Sequence, residues 1–428
     1  MPETHTKDFN PPWRTSHHPT QPMPPLKPAP PLQYEKSTLR DGKTLLEKDL
    51  TIPMRDGVKI YADVFRPADE SIRSPSIVLF APFGKHGATP VDLMSNMGVD
   101  FSTMSEHTHW ELPDPLRWCG EWGYALVIVD PRGTWWSEGD GACFLSPEEG
   151  RDGYDVVEWT AQQSWSNGSV GWGAVSYYAM SAYQTAVLRP PHLKALLIWE
   201  GISDVYREVN GQGGIPCVPL QQFWMILTGN GLGKSEDHGA LMLEHPLFDE
   251  LWQSKVADWT RIDIPTWSIK APITGHASLK VWIQAMDFPD TDLFVAVEKI
   301  DAAGAVVDFW SSTQDADAPA ALGWLRISHR ALDEDKSRPE LPVHTHSARQ
   351  WLRQSDIVEA NVELWPSATI WDKGETLRLV LQGRPYGGNA AAARRRAPSH
   401  SVGKVNVWFG GRFDSHLLLP VMRDVAQK

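Results

Sequence analysis

The stretch Gly171-Trp172-Gly173-Ala174-Val175-Ser176-Tyr177-Tyr178-Ala179 decides how this chain folds. The run that leads into it, "GSVGWGAVS", reads as an apolar strand, and the run that follows, "YYAMSAYQTAVLR", has the apolar spacing of a helix. A serine held between strand and helix among small residues is the arrangement of a nucleophile elbow, where a sharp turn lifts the hydroxyl above a sheet. The full Gly-x-Ser-x-Gly pattern is absent, and the small neighbours are Ala174, two before Ser176, and Ala179, three after it. On these residues alone Ser176 reads as a nucleophile or, more simply, as a serine capping backbone N–H groups at a helix start.

Working outward, the alternation of strand and helix continues on both sides. "EKDLTIPMRDGVKIYADVFRP" reads as two strands around Arg55-Asp56-Gly57, since Asp-Gly supplies the positive φ of a tight hairpin. "SIVLFAPFG" and "YALVIVDPRG" are short apolar, β-branched runs ending in Pro/Gly loops, as buried parallel strands do. "YDVVEWTAQQ" has helical spacing and "LKALLIWEG" is a further buried strand, so a parallel α/β sheet is expected. Residues from about 205 to 259 are aromatic-rich, helical and broken by glycines, as suits a cap over the end of the sheet. From residue 269 the texture becomes alternating strands ("ASLKVWIQA", "TDLFVAVEKIDAAG", "GWLRISHRAL", "IVEANVELWP", "ETLRLVLQG"), which predicts a separate β-sandwich. Three segments follow: a Pro-rich arm over 1–40, an α/β domain over 41–268 and a β-domain over 269–428.

Composition narrows the function classes. A net charge of −13 argues against a nucleic-acid binder, which needs a basic face, and Arg394-Arg395-Arg396 reads as a solvated loop. Cys119, Cys143 and Cys217 are odd in number and widely spaced, so neither a disulfide framework nor a zinc site is indicated. His17-His18 reads as part of a polar tail. The start lacks an apolar signal core and no run reaches the ~18 apolar residues that span a bilayer, so a cytoplasmic protein without a membrane partner is expected. The 21 Trp residues suggest aromatic contacts in cores or in a pocket wall.

Several stretches taken in order resemble one family. "IPMRDGVKIYADVFRP", "APFGKHG", "WGYALVIVDPRGTWWSEGD", "DGYDVVEWTAQQSWSNGSVGWGAVSYYAMSAYQ" and "RPPHLKALLIWEGISDVYRE" look like the cocaine-esterase/NonD group of α/β-hydrolases, related to Xaa-Pro dipeptidyl-peptidases. "PITGHASLKVWIQAMDFPDTDLFVAVEKIDAAG" and "GGRFDSHLLLPV" are similar to that group's C-terminal jelly-roll domain. The resemblance implies a serine hydrolase that cleaves ester or amide bonds of small molecules without a metal or organic cofactor. Ser176 would attack the carbonyl, a histidine held by an aspartate would take its proton, and water would resolve the acyl-enzyme. The backbone N–H of Tyr177 would be one oxyanion donor. The family's second donor is the tyrosine hydroxyl of a "PYG" loop, and here that loop reads Pro82-Phe83-Gly84. The chain also passes from "IDIPTWS" almost directly into the β-domain pattern, so the family's segment carrying the Asp and His is not found. That shortening is either a property of the protein or a segment absent from the gene model.

The remaining candidates have plainer readings. His276, His329, His344, His346 and His416 lie inside the β-domain pattern and read as structural or surface histidines, and Asp130 and Asp204 as loop anchors. Asp287, Asp290 and Asp292 lack the Gly and terminal Glu of a calcium loop and read as a strand-edge turn. Lys85 and His86 read as substrate contacts or, more simply, as a solvated loop, and Arg132 as a structural ion-pair partner. Trp224, Trp252 and Trp259 line an acyl pocket or pack a core. Phe83 and the missing segment motivate one alternative to hydrolysis, a pseudoenzyme that binds an apolar ligand; a further alternative is an acyltransferase in a biosynthetic pathway, since an alcohol or amine can resolve an acyl-enzyme as well as water. The expected partner is a small-molecule ester or amide, and a homodimer is left open.

Overall fold

The expected hairpin at Asp56-Gly57 forms. Gly57 has φ 89, the Met54 N–H donates to the Val58 carbonyl at 2.8 Å and the Gly57 N–H to the Met54 carbonyl at 2.9 Å. The protein was studied as a computed structural model that describes residues 31–87, 101–141, 145–173, 175–217, 231, 233, 236–268, 275–309, 318–353, 356–367, 369–386 and 404–420. His17, His18, Cys143, Trp224 and Arg394 to Arg396 lie outside the described residues.

The strands β1 (Glu35–Thr38), β2 (Thr44–Pro53), β3 (Lys59–Pro67), β4 (Ser74–Phe80), β5 (Ala125–Asp130), β6 (Ser166–Trp172), β7 (Leu193–Ile198) and β8 (Thr266–Ser268) form one eight-stranded sheet ordered β1-β2-β3-β5-β4-β6-β7-β8. From β5 to β8 the pairing is parallel, whereas β1, β2 and β3 add an antiparallel flank. Every residue of β5 is buried, as expected of a strand covered on both faces.

Two helices position the candidate serine. α1 (Pro147–Ala161) begins at a capping Ser146, whose side chain accepts the Glu149 N–H, and carries Pro147 in its first turn with Glu148 and Glu149. It starts seven residues earlier than the apolar spacing from Tyr154 suggested, because Gly150 and Gly153 weaken the local helical pattern. Their missing side chains serve packing instead. A Cβ on Gly150 would lie 2.7 Å from the Gln184 carbonyl oxygen, and one on Gly153 would collide with Thr185, both on α2 (Tyr177–Val187). All of α2 is buried.

The chain divides into two compact units, and the segment expected as a cap is shared between them. Described residues of Tyr206–Leu220 and of Met242–Asp249 belong with the C-terminal unit. Those of Gln221–Leu241 and Glu250–Ile269 belong with the sheet. The cap's described helices are α3 (His238–Glu244) and α4 (Glu250–Ser254), along with a π-turn at Tyr206–Asn210.

The C-terminal unit contains β9 (Ala277–Ala285), β10 (Asp292–Ile300), β11 (Val306–Val307), β12 (Ala321–Arg326), β13 (Val358–Leu364), β14 (Thr376–Gln382), β15 (Val405–Trp408) and β16 (His416–Leu418). They pair antiparallel as two sheets, one around β10 with β11, β12 and β14, the other around β9 with β13, β15 and β16. Leu279, Val281 and Ile283 of β9 share one core with Val295 and Val297 of β10, Leu325 of β12 and Val362 of β13, consistent with a β-sandwich. Two aspartates at the start of β10 are occupied by the fold: Asp290, in the turn before it, accepts from the Ser328 N–H and hydroxyl, and Asp292, its first residue, pairs with Arg326. Cys119 and Cys217 are buried thiols. Among the described residues no helix is long and apolar enough to cross a membrane.

Candidate active site

β6 delivers the chain to Ser176 and α2 carries it away. Ser176 has φ 55 and ψ −122, a conformation that costs a residue with a Cβ of order 1–3 kcal/mol and persists only where the surroundings enforce it. Those surroundings are visible. The Ser176 N–H donates to the Trp199 carbonyl at 2.9 Å, and the Ser176 carbonyl accepts from the N–H groups of Ala179 and Met180 at 3.0 and 2.9 Å. The serine side chain makes no capping hydrogen bond, so the simpler of its two readings does not describe it. Ala179 must be small because the chain beyond β7 passes close by: a Cβ on Gly201 would already lie 3.0 Å from the Ala179 Cβ.

Tyr177 opens α2, the end of a helix at which N–H groups and the positive end of the macrodipole face outward. Its own side chain is anchored, with the hydroxyl donating to Glu149 Oε1 at 2.7 Å. Burial pushes the Glu149 carboxyl up to about 7 against the pull of that bond. Phe83 stands beside the elbow, its buried ring edge-on to Tyr177 at 6.2 Å and to Tyr178 at 5.7 Å. It has no hydroxyl to offer there.

The loop after Phe83 is not solvated, contrary to its sequence reading. Lys85 is only 1% exposed and its ammonium is paired with Asp49 and, at 3.4 Å, Asp63. His86 Nε2 lies 3.0 Å from Asp49 and 3.3 Å from Asp63, and the Lys85 N–H donates to Asp130 Oδ1 at 2.8 Å, so Asp130 anchors the loop as expected. The cause is a bulge between Glu47 and Leu50, where Asp49 takes φ 56 and its N–H bonds Asp63 Oδ1. Asp49, Asp63 and His86 are spaced as metal ligands, but the Lys85 ammonium is already paired with both carboxylates. Arg132 is an ion-pair partner as read, with Asp152 and Asp56.

No histidine takes the place of a triad base in the described part of this unit. His86 pairs with Asp63, His107 with Glu106 at 3.7 Å, His192 with Glu158 at 2.8 Å and His238 with Glu236 at 3.5 Å, while the His109 ring packs edge-on to Phe65 with centroids 6.3 Å apart. His329, His344 and His346 are buried in the C-terminal unit, where His329 and His346 share an Nδ1 to Nδ1 contact of 3.1 Å. β8 ends at Ser268 and β9 begins at Ala277, which leaves no room for a long intervening segment. Residues 269–274 lie outside the described residues.

One group that bears on Ser176 was missed from sequence. Glu111, in the loop before β5 with φ 57, has its charged form favoured by Trp110 and Ser176. Burial, reinforced by the charge of Glu200, pushes this carboxyl up to about 8, and Trp110 and Ser176 only partly offset that. Its Oε2 is buried without a hydrogen-bond partner. An acid next to a tryptophan in the loop "HWELPDP" was the available signal. Of the tryptophans expected at an acyl pocket or in a core, Trp252 is fully buried on α4, and Trp259 lies edge-on to Tyr183, two turns along α2 from Ser176, with ring centroids 4.5 Å apart.

Comparison with known proteins places this geometry. Residues 56–245 match the X-Pro dipeptidyl-peptidase (S15 family), and residues 269–407 match the X-Pro dipeptidyl-peptidase C-terminal non-catalytic domain. The cocaine esterase of a Rhodococcus species is 31% identical over 194 residues, which span 45% of this chain and 30% of that enzyme's length. A CocE/NonD family hydrolase structure from Staphylococcus aureus superposes with a TM-score of 0.81 at 26% identity, covering 88% of this chain and 93% of that one. An aminopeptidase from a marine-sediment Thaumarchaeota archaeon shares the fold alone, at TM-score 0.63 and 11% identity over 91% of this chain and 97% of its own. The chain therefore carries an S15-family X-Pro dipeptidyl-peptidase domain joined to that family's C-terminal non-catalytic domain, and is homologous to cocaine esterase and the CocE/NonD hydrolases.

Proposed function

We propose that this chain is a serine hydrolase that cleaves ester or amide bonds of small molecules through an acyl-enzyme on Ser176. The observation that carries the reading is the backbone of Ser176, held at φ 55 and ψ −122 between β6 and α2 with no capping role for its side chain. Such strain is retained at functional turns because it presents the hydroxyl above the sheet. In the reaction the Oγ attacks the substrate carbonyl and the oxyanion forms at the start of α2, near the Tyr177 N–H. The leaving alcohol or amine departs and water then releases the acid.

Phe83 supports a second reading, in which the site binds an apolar ligand without turnover. A buried phenyl ring beside the elbow supplies packing where the related family has a hydroxyl, and one lost oxyanion donor costs about 10²–10³ in turnover. A fluorophosphonate probe separates the two readings by intact mass. One added probe mass on the purified chain, absent in Ser176→Ala, is the expected result. A folded, monodisperse protein that never takes up the probe would favour the binding reading.

A further inference from the structure

The chain leaves the sheet unit after Val205 and again after Leu241, and the described residues of both excursions, Tyr206–Leu220 and Met242–Asp249, belong with the C-terminal unit. They form a strap seated on three buried histidines, His329, His344 and His346. A Cβ on Gly214 would lie 2.4 Å from the His329 ring and one on Gly213 2.1 Å from the Trp324 carbonyl oxygen, so a side chain at either position would lift the strap from β12 and the turn after it. Arg207 donates to the His344 carbonyl at 3.3 Å and its guanidinium stands 3.9 Å over the Phe248 ring. The Phe248 N–H donates to the His346 carbonyl at 3.0 Å, and the Tyr206 ring packs on His346 with centroids 5.4 Å apart. We infer that His329, His344 and His346 form an acid-sensitive latch, which holds this strap on the C-terminal sheets while the rings are neutral and releases it when they take up protons.

The ring nitrogens set the direction. His329 and His346 meet Nδ1 to Nδ1 at 3.1 Å, a contact that takes one proton between two nitrogens, with one ring donating and the other accepting. Protonating the accepting ring sets two N–H groups against each other. The Nε2 atoms of His329 and His344 are buried without a hydrogen-bond partner, so a proton gained there finds no acceptor either. The charged groups around the rings are mostly cations: Arg207 on the strap beside Tyr206, Arg326 on β12 and Arg349 in the loop after His346, against Asp292 on β10, which is already paired with Arg326. Burial, with Arg326 and Arg349, pushes His329 down to about 3. Burial pushes His344 down to about 4, with Arg207 acting the same way and the Asn361 backbone opposing. Burial and the other two rings hold His346 well below its ordinary value. Above 6.5 the rings are neutral whether the strap is docked or released. Below it the released rings take up protons that the docked ones refuse, so the released state gains about tenfold per pH unit for each ring that titrates.

The test is amide hydrogen exchange of the full chain, read by mass spectrometry across pH with each rate divided by the intrinsic rate at that pH. The strap carries its own probes, since the Gly211 and Cys217 N–H groups donate to the Tyr206 and Asn210 carbonyls at 2.7 and 2.8 Å, and β9 of the same unit serves as the reference. Strap peptides are expected to lose protection about tenfold or more per pH unit below 6.5, while β9 peptides stay protected. His329→Phe and His344→Phe each take away one titrating ring and are expected to make that slope shallower. Strap protection that does not change with pH overturns the proposal, and so does loss of strap and β9 at the same pH, which is acid unfolding of the whole unit. A slope as steep in both variants as in the parent also overturns it, since other groups would then be titrating. Should neither variant fold, exchange of the imidazole C2 hydrogens in the same parent samples decides. Rings that protonate as the strap is released uphold the latch, whereas rings that protonate while the strap stays protected, or stay neutral once it is released, overturn it.

Discussion

At the scale of single residues, Ser176 combines an unfavourable backbone with a side chain that does not help the fold. Serine, alanine and glycine differ informatively at such a position. Alanine keeps the Cβ that makes φ 55 with ψ −122 costly, whereas glycine removes it and gives up some stability through its freer unfolded chain. Ser176→Gly is therefore expected to exceed Ser176→Ala in stability by about 1 kcal/mol, with neither variant labelled by the probe. Paired urea titrations measure the difference, and an alanine variant as stable as the glycine variant would show that the turn stores no strain. Glu111 differs in kind, because Ser176, which favours its charged form, lies 65 positions later in the chain, and no local pattern signals that pairing. Ser176 was legible because strand, small residues and helix surround it in sequence. Glu111 was not.

At the scale of elements, the loop from Phe83 to Gly87 shows how a buried ion cluster holds a functional turn. Burial opposes the charge on Lys85, but Asp130, Asp63 and Asp49 outweigh it and raise the ammonium above its ordinary value. Burial pushes Asp63 up, yet His86 and Lys85 bring it below its ordinary 3.8. Burial pushes His86 down, and its bond to Asp63 raises it above 6.5. The signs set the pH window. The His86 contribution is fully present below 6.5 and is lost as pH rises through its raised folded value, and the Asp63 contribution is present above 3.8 and is lost as pH falls through its depressed one. His86→Gln is thus expected to flatten the decline of melting temperature with pH on the alkaline side of 6.5, and an unchanged slope would remove His86 from the cluster. Lys85→Met leaves Asp49 and Asp63 without their cation and is expected to cost about 3–5 kcal/mol in a denaturant titration. A loss under 1 kcal/mol would mean water reaches the carboxylates. Sequence reading placed this loop in solvent because the bulge at Asp49, which turns the acid inward, belongs to a different pair of strands.

At the scale of the whole molecule, both architectures were legible because each rests on a period. The parallel strands read as continuous apolar runs, while the C-terminal strands read as alternation, and the structure returns both. Boundaries were less legible wherever packing rather than propensity sets them, as in the glycine-bearing first turns of α1, and β15 and β16 are too short to show a period. Alternation in the sandwich makes a claim that can be checked on neighbouring residues. On β9, Ile283 is fully buried in the core shared by the two sheets, whereas Gln284 faces outward and makes only long contacts with Asn406 and Trp408, at 3.3 and 3.2 Å. Truncating Ile283 removes apolar contacts and leaves a cavity, so Ile283→Ala is expected to destabilise the protein by about 2–5 kcal/mol. Gln284→Ala alters a solvated face and should stay within about 0.5 kcal/mol. Calorimetric melting of the two variants beside the parent measures both effects on one strand. Comparable losses would mean that β9 is covered on both faces, whereas a loss confined to Ile283→Ala follows from a single core between two sheets.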